Sequence, residues 1–277
     1  MRILFGLVLT AASTAAFANH ECRFSADRNL DIDPAGLKTL ALVLGSSDAH
    51  VDGVAAGKRI EVRAKACASE EEWLKDLTVE QEHSGDHLRL TATKTHSTHV
   101  NVFGSSYAYI DIDIRLPAGL AVDIDAGSGD AKVSHVAALT FSSGSGDLAA
   151  DHVGDTVVKV GSGDVVVDDL GNLTVERAGS GDIRATQVRG EIKVGHVGSG
   201  DMNFRDVHGG VRIDSVGSGD VIVDRAGGDV VIGSIGSGDV TVDGVGGNFV
   251  VRAAGSGDVR HRNVTGKIEV PARPEYD

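Results

Sequence analysis

One tetrapeptide, Gly-Ser-Gly-Asp, occurs eight times from residue 127 onward in this 277-residue chain. Successive copies lie 17, 17, 18, 19, 19, 19 and 19 residues apart. Their aspartates are Asp130, Asp147, Asp164, Asp182, Asp201, Asp220, Asp239 and Asp258. A nearly constant period of this length indicates one supersecondary unit that is stacked many times. Of the 37 glycines, 29 lie between Gly127 and Gly266, so the glycine excess belongs to this array.

Within each period, apolar residues alternate in two short segments that glycine-containing turns separate. After Asp220 the inward positions are expected to be Val221, Val223, Ala226, Val230, Ile232 and Ile235. Such segments predict two short strands per period, which can bury their apolar face only by stacking on neighbouring copies. The sequence therefore predicts an all-β, single-stranded parallel β-helix, or β-solenoid, of about eight to ten rungs. The preference of parallel crossovers favours a right-handed coil.

The repeated turns should stack into ladders, with the aspartates about 4.8 Å apart. At that spacing two carboxylates repel by about 1 kcal/mol in water, so they should be solvated, hydrogen-bonded or screened by cations. The glycines are expected to occupy corners with positive φ. A calcium β-roll would need a G-G-x-G-x-D-x-U-x pattern, whereas here Asp follows Gly directly. The sequence thus favours a structural turn ladder without a cofactor, with a structural calcium array as the alternative.

Residues 1–18 have the pattern of a secretory signal peptide. Arg2 is followed by an apolar run and by Ala16-Phe17-Ala18, which predicts cleavage between Ala18 and Asn19. No later apolar run is long enough to span a bilayer as a helix. The mature protein is therefore expected to be exported to the periplasm, the cell surface or the medium, and not embedded in a membrane.

The chain has two cysteines, Cys22 and Cys67. In an oxidising compartment a lone pair most often forms one disulfide, which here would staple the mature N-terminus to a later segment. A redox or metal-binding pair is the alternative, but the chain has no Cys-x-x-Cys motif.

Residues 19–125 are expected to form an N-terminal cap that contains one or more degenerate rungs. Gly45-Ser46-Ser47-Asp48 resembles the repeated turn, Ser69-Glu70-Glu71-Glu72 reads as a capping box that opens a short helix, and residues 77–95 read as a hairpin that turns at Ser84-Gly85-Asp86. Residues 126–270 form the repeat array, and 271–277 a tail.

The chain resembles a bacterial family, the adhesins of the auto-transporter head GIN type, together with related exported β-strand-repeat proteins. The resemblance rests on the export signal, on the segment from Ile110 to Leu120 that leads into the first repeated turn, and on the repeated Gly-Ser-Gly-Asp-Val turns. It covers roughly residues 37–270. It implies the solenoid fold and a surface or binding role, and it implies no catalytic residues.

Charge and residue types exclude several functions. Forty acidic against 26 basic residues argue against a nucleic-acid partner. The array's carboxylates recur at one offset, as turn residues do, and no nucleophile elbow, zinc-protease motif or phosphate loop is present. The sequence predicts a non-enzymatic envelope or cell-surface protein that acts in binding, adhesion or scaffolding, with an unidentified protein or polysaccharide partner. The alternative is a polysaccharide lyase or hydrolase on the same scaffold.

Two sets of outward residues are candidate sites. His135, His152 and Asp169 follow their turn aspartates by five residues, so they should line one edge, as metal ligands or simply as solvated side chains. On the second strands, one outward column should contain Lys193, Arg212, Val231 and Val250, a basic pair beside an apolar pair. This column is the candidate partner face for an acidic, partly apolar protein or for a second copy of the chain.

Overall fold

The computed structural model describes residues 22–94 and 107–271. The predicted signal peptide, the Ala18–Asn19 junction and residues 272–277 lie outside the described residues. Within the described part the chain forms two sheets, of 13 and 12 strands. These described residues include a single short 3₁₀ helix, and none of them forms a helix with the length and apolar character of a membrane span.

The two strands of each repeat lie in different sheets. The first strands lie in the 13-stranded sheet: β10 (Ala131–Ser134), β12 (Leu148–Val153), β14 (Val165–Leu170), β16 (Ile183–Val188), β18 (Met202–Val207), β20 (Val221–Ala226), β22 (Val240–Val245) and β24 (Val259–Val264). The second strands lie in the 12-stranded sheet: β9 (Ala121–Ala126), β11 (Ala138–Ser143), β13 (Asp155–Val160), β15 (Leu173–Ala178), β17 (Ile192–Val197), β19 (Val211–Val216), β21 (Val230–Ile235), β23 (Phe249–Ala254) and β25 (Ile268–Glu269).

Every strand of the array pairs in parallel with the equivalent strand one repeat away. Val223, for example, is in register with Phe204 on one side and with Val242 on the other. The result is a parallel β-solenoid of about eight turns, which confirms the predicted fold class. Its core is the layer of Val, Ile, Leu, Ala and Phe side chains between the two sheets.

The buried positions in a typical first strand are the first, third and sixth, not the first, third and fifth of a regular strand. The reason is the fifth residue, which adopts left-handed φ in one rung after another. These residues are His135, His152, Asp169, Gln187, Asp206, Arg225, Gly244 and Asn263. The kink turns the fourth and fifth side chains outward together and returns the sixth to the core. Val221, Val223 and Ala226 are accordingly buried, as the sequence predicts.

Two inserted residues explain why the period grows from 17 to 19. The register between β13 and β15 skips Glu176, so that residue is a bulge in the second strand. Arg189 then lengthens the turn after β16, where Arg189 N–H donates to Leu170 O over 2.9 Å. Later rungs keep both insertions, and their spacing stays at 19.

An early degenerate rung is present where the sequence predicts one. It consists of β3 (Thr39–Gly45) and β4 (Asp48–Val54), which pair in parallel with β9 and β10. The turn between them stacks on the first repeated turn, because Gly127 N–H donates to Gly45 O over 2.7 Å. The solenoid therefore begins before residue 55. The chain between β4 and β9 then leaves the stacked rungs and returns to them at β9.

The rest of the N-terminal part extends both sheets. In the first sheet, β8 (Ala108–Pro117) pairs in parallel with β4 and antiparallel with β5 (Ile60–Ala68), and β5 also pairs with β1 (Phe24–Asp27) and β2 (Leu30–Ile32). In the second sheet, the predicted hairpin forms from β6 (Leu77–Ser84) and β7 (His87–Lys94), and β7 pairs with β3.

A short 3₁₀ helix, Glu71–Asp76, connects the two sheets at this end and buries Trp73. The predicted capping box is wrong. The residue before the helix is Glu70, no side chain caps it, and Ser69 Oγ instead accepts a hydrogen bond from Tyr107 N–H over 3.3 Å. Ser69 lies one position too early because β5 extends through Ala68 and leaves only one residue before the cap.

The C-terminal rung has a polar residue at one of its inward positions. His261 occupies the inward third position, in register with Val242, yet it is exposed. Its ring lies 5.8 Å from that of Phe249, which is fully buried. His261, together with the partly buried Val259 and Val264, thus packs on the core at this end of the described array.

Cys22 and Cys67 form a disulfide with a Cα–Cα distance of 5.3 Å, across a sequence separation of 45 residues. It ties the first described residue to the buried end of β5. We expect the Cys22→Ser, Cys67→Ser variant to lose about 2–4 kcal/mol of unfolding free energy, because the unfolded chain is no longer cross-linked. Intact-mass measurement of exported protein tests the bond itself, and two free thiols would contradict it.

Candidate functional site

The repeated aspartates form an unbroken hydrogen-bonded ladder along one corner of the solenoid. The backbone N–H of each aspartate donates to Oδ1 of the aspartate one rung earlier, over 2.7–3.0 Å. The ladder starts in the degenerate rung, where Asp130 N–H donates to Asp48 Oδ1 over 2.9 Å. From Asp48 to Asp239, one oxygen of every such carboxylate is therefore used to hold the next rung.

The glycines of these turns serve close packing between rungs. A Cβ on the second glycine of each turn would lie 1.9–2.0 Å from a carbonyl oxygen of the turn below. None of these glycines has positive φ, so that expectation is wrong; among the described glycines, positive φ is found instead at Gly36, Gly45, Gly85 and Gly244. The turn requires glycine because backbone stacks directly on backbone.

A second ladder lies at the turn between the first and second strands, and it is interrupted. Asp155 Oδ1 accepts from Asn172 N–H, and Asn172 Oδ1 accepts from Glu191 N–H, each over 2.9 Å. The same bond joins Asp229 to Asn248 over 2.7 Å. Asparagine thus performs the same bonding as aspartate in this fold.

The column of left-handed residues brings the predicted histidines together. The rings of His135 and His152 stack, with centroids 5.0 Å apart and planes 17° apart. His152 Nδ1 lies 2.9 Å from Asp151 Oδ2, and His152 Nε2 lies 3.6 Å from Asp169 Oδ2. One ligand atom each from His135, Asp151 and His152 lie within 4.8 Å of one another. We call these three residues the histidine corner.

Neighbouring carboxylates surround the histidine corner. Asp52 Oδ1 lies 3.2 Å from His135 Nδ1 and accepts a hydrogen bond from Ser134 Oγ over 2.8 Å. Burial raises the pKa of Asp52, but these two interactions outweigh it and leave the pKa below its ordinary value. The hydrogen bond with Asp151 raises the pKa of His152, and the charge of Asp169 adds to the rise.

Asp169 is in the predicted column but is held by another residue. Arg189 Nη1 forms a short ion pair with Asp169 Oδ1, and Arg189 Nη2 donates to Val153 O over 2.9 Å. Arg189 is the residue inserted in the turn, so the change of period from 18 to 19 was the sequence signal for this contact. Further along the column, the hydrogen bond from Arg225 lowers the pKa of Asp206.

The candidate partner face is one continuous column. The register places Lys193 beside Arg212, Arg212 beside Val231 and Val231 beside Val250. Lys193 forms a short ion pair with Glu191, and Arg212 Nε lies 3.6 Å from Asp214 Oδ1. The two valines are partly buried. Each basic group therefore has an acid beside it on or next to its own strand.

A family model, Toastrack DUF4097, matches residues 41–243, from the degenerate rung to β22. The chain belongs to the Toastrack DUF4097 family. The matched region covers the degenerate rung, the excursion that follows it and most of the array. No curated protein matches the chain.

Solved structures share the Toastrack chain's fold. A "putative adhesin" from Parabacteroides distasonis ATCC 8503 superposes with a TM-score of 0.54 and 13% identity, over 86% of this chain and 97% of that one. A "putative lipid binding protein" from the same organism superposes with a TM-score of 0.52 and 16% identity, over 86% of this chain and 96% of that one. At these identities the likeness establishes the β-solenoid fold.

The aspartate ladder needs an acceptor oxygen at each position, so we expect the negative charge of the carboxylates to be dispensable. Asp220 Oδ1 accepts from Asp239 N–H over 2.7 Å. Asp220→Ala should cost about 0.5–1.5 kcal/mol of unfolding free energy, because that N–H loses its partner at an exposed corner. Asp220→Asn keeps an oxygen there and should cost much less. Equal losses in the two variants, measured by equilibrium denaturation, would show that the negative charge itself is needed.

We also expect the Toastrack solenoid to fold without calcium. The ladder carboxylates accept backbone hydrogen bonds, and the core is continuous from rung to rung. Circular dichroism of the exported protein should be unchanged by excess chelator. Loss of the β signal on chelation, with recovery on adding calcium, would identify the ladder as a metal array.

Proposed function

We propose that this protein is an exported, non-enzymatic binding or scaffolding module of the cell envelope, of the adhesin type. The observation that carries the proposal is the use of the repeated carboxylates: from Asp48 to Asp239 each one accepts the backbone N–H of the next rung. Groups committed to stacking are poorly suited to act as general acids or bases. The outward side chains, in contrast, differ from one rung to the next.

The distribution of aromatic residues in the array supports the same conclusion. Phe141, Phe204 and Phe249, its described aromatic residues, are all fully buried. Enzymes that cleave polysaccharides bind sugar rings on exposed aromatic faces beside converging carboxylates. In the described rungs, carboxylates come together at the histidine corner, but no exposed Phe, Tyr or Trp side chain lies beside them to bind a sugar ring.

The disulfide supports an oxidising compartment, because such bonds persist outside the cytoplasm. Together with the predicted signal peptide, it supports a location in the periplasm or at the cell surface. The "putative adhesin" neighbour agrees with a surface role, although its likeness to this chain establishes only the fold.

We propose the column Lys193, Arg212, Val231 and Val250 as the partner face. Because Glu191 and Asp214 lie beside the two basic groups, the face is locally close to neutral. Contact through it should therefore depend on the two valines more than on attraction of an acidic partner. A second copy of the chain or a partly apolar envelope protein would suit such a surface.

Cross-linking in the intact envelope, followed by affinity capture, tests this proposal. Val231→Thr with Val250→Thr should preserve folding and reduce recovery of the cross-linked partner. The matched control is Val166→Thr with Ile222→Thr, two exposed apolar residues on the opposite sheet, which should leave recovery unchanged. Equal recovery in both variants would remove this face from consideration.

The enzyme alternative has its own test. Purified mature protein should release no product from a panel of acidic and neutral polysaccharides. Turnover that a single outward carboxylate substitution abolishes would replace the binding proposal with a carbohydrate-active enzyme.

A further inference from the structure

The histidine corner combines two imidazoles and one carboxylate at an exposed edge of consecutive rungs. Two histidines with a carboxylate form a donor set typical of zinc and related transition metals. His152 Nδ1 and Asp151 Oδ2 are 2.9 Å apart. Two ligands of one tetrahedral zinc ion, with bonds of about 2.0 Å, would lie about 3.3 Å apart, so a small side-chain rotation suffices.

The backbone fixes how these side chains meet. His135 and His152 both have left-handed φ, of 55° and 53°, in consecutive rungs, which gives their imidazoles the same direction and stacks them. Left-handed φ is uncommon for residues other than glycine, and here it repeats because each rung stacks on the last. The kink also places Asp151 on the same outward side as His152, where a regular strand would point them to opposite faces.

The surrounding carboxylates are arranged as the outer partners of metal-bound histidines. Metal ligands of this type usually hydrogen-bond a carboxylate through the ring nitrogen that does not bind the metal. Asp52 contacts Nδ1 of His135, which leaves Nε2 of that ring available as a ligand. Asp169 lies near Nε2 of His152 and is itself held by Arg189, which leaves Nδ1 beside Asp151.

A further carboxylate, with an acceptor position unfilled within the described residues, lies one rung beyond Asp151. Asp168 follows Asp151 in the next rung of the same column. Its Oδ1 is buried and accepts no hydrogen bond within the described residues. A buried carboxylate oxygen without a donor is costly, and a bound cation or its water would satisfy it.

From this geometry we propose that His135, Asp151 and His152 bind one divalent transition-metal ion of the zinc class, with Asp52 and Asp169 as outer partners. The remaining coordination position faces solvent, because both histidines are exposed. The site differs from the predicted set in one ligand, since Asp151 replaces Asp169.

Isothermal titration of metal-free mature protein with Zn²⁺ tests the proposal. We expect one zinc per chain, and His135→Asn with His152→Asn should weaken binding at least about 100-fold. Asp52→Asn should weaken it about 10- to 100-fold, the usual effect of losing an outer carboxylate. Circular dichroism of each variant should match that of the unmodified protein, because the two histidines are exposed and Asp52 is only partly buried. Calcium should not compete, because it prefers oxygen ligands.

Two controls separate this site from other histidines. His196→Asn with His208→Asn removes exposed imidazoles elsewhere in the array and should leave zinc affinity unchanged. His96→Asn with His99→Asn removes a histidine pair outside the described residues and should also leave it unchanged. Tight binding that survives loss of His135 and His152, or no binding to the unmodified protein, would overturn the proposal.

Discussion

Val223→Asp should cost more than about 4 kcal/mol of unfolding free energy, because it places an unpaired charge in the core between the two sheets. Val223 is 1% exposed and lies in register with Phe204 and Val242. The carboxylate would have no polar partner in that layer, so the rungs on both sides should separate. Equilibrium denaturation, followed by circular dichroism, measures the loss.

The matched control is Thr241→Asp, which introduces the same side chain at an outward position of the next rung. Thr241 lies in register with Ile222 and Arg260, so the new carboxylate would be near a basic group. Its effect should stay within about 0.5 kcal/mol, as for most surface changes. Comparable losses at the two positions would mean that the inward and outward assignment is wrong by one residue.

Gly219→Ala should also be clearly destabilising, although it adds only one methyl group. A Cβ at Gly219 would lie 1.9 Å from the carbonyl oxygen of Gly200, which is backbone and cannot rotate away. The two rungs would have to move apart, which should cost at least about 1–3 kcal/mol, the usual range for overpacking, and should break the Asp220 to Asp201 bond. Denaturation midpoints of purified variants measure this loss.

Ser218→Ala is the control for that substitution, since it changes the adjacent residue of the same turn. Ser218 is exposed, and its main role in the turn is through its backbone N–H, which donates to Gly198 O over 2.9 Å. The backbone bond survives the change, so stability should be nearly unaffected. If Gly219→Ala were equally harmless, the close stacking of the turns would be incorrect.

The repeated half of the fold was predictable because each rung buries the same inward positions against the rungs beside it. One period with Val221, Val223 and Ala226 inward fixes the arrangement of all the others, and Asp48 in a similar tetrapeptide was enough to locate the early rung. The pairing of β5 with β8 had no such signal. Those strands are antiparallel, join distant parts of the chain and repeat nowhere else.

The histidine corner was predictable as a column but not as a ligand set. Counting five residues from each turn aspartate correctly aligned His135, His152 and Asp169. Strand alternation would place Asp151 on the opposite face from His152, and only the left-handed kink brings the two together. The capture of Asp169 by Arg189 likewise depends on where the inserted residue falls in the turn.

For the turn glycines, the sequence predicts where they lie, whereas the structure is needed to explain why they are glycine. Their positions were evident from the repeat, but their role in backbone contact requires knowing the distance between rungs. Gly200 and Gly219 are needed because each lies against a carbonyl oxygen of the preceding turn, and not because of their own dihedral angles.

The central claim is that the Asp ladder holds the solenoid together through backbone hydrogen bonds. Amide hydrogen exchange in the presence of chelator tests it most directly, at the N–H groups of Asp147, Asp164, Asp182, Asp201, Asp220 and Asp239. The account predicts that these amides are protected as strongly as the strand amides beside them. Exchange at the rate of an unstructured peptide would contradict it.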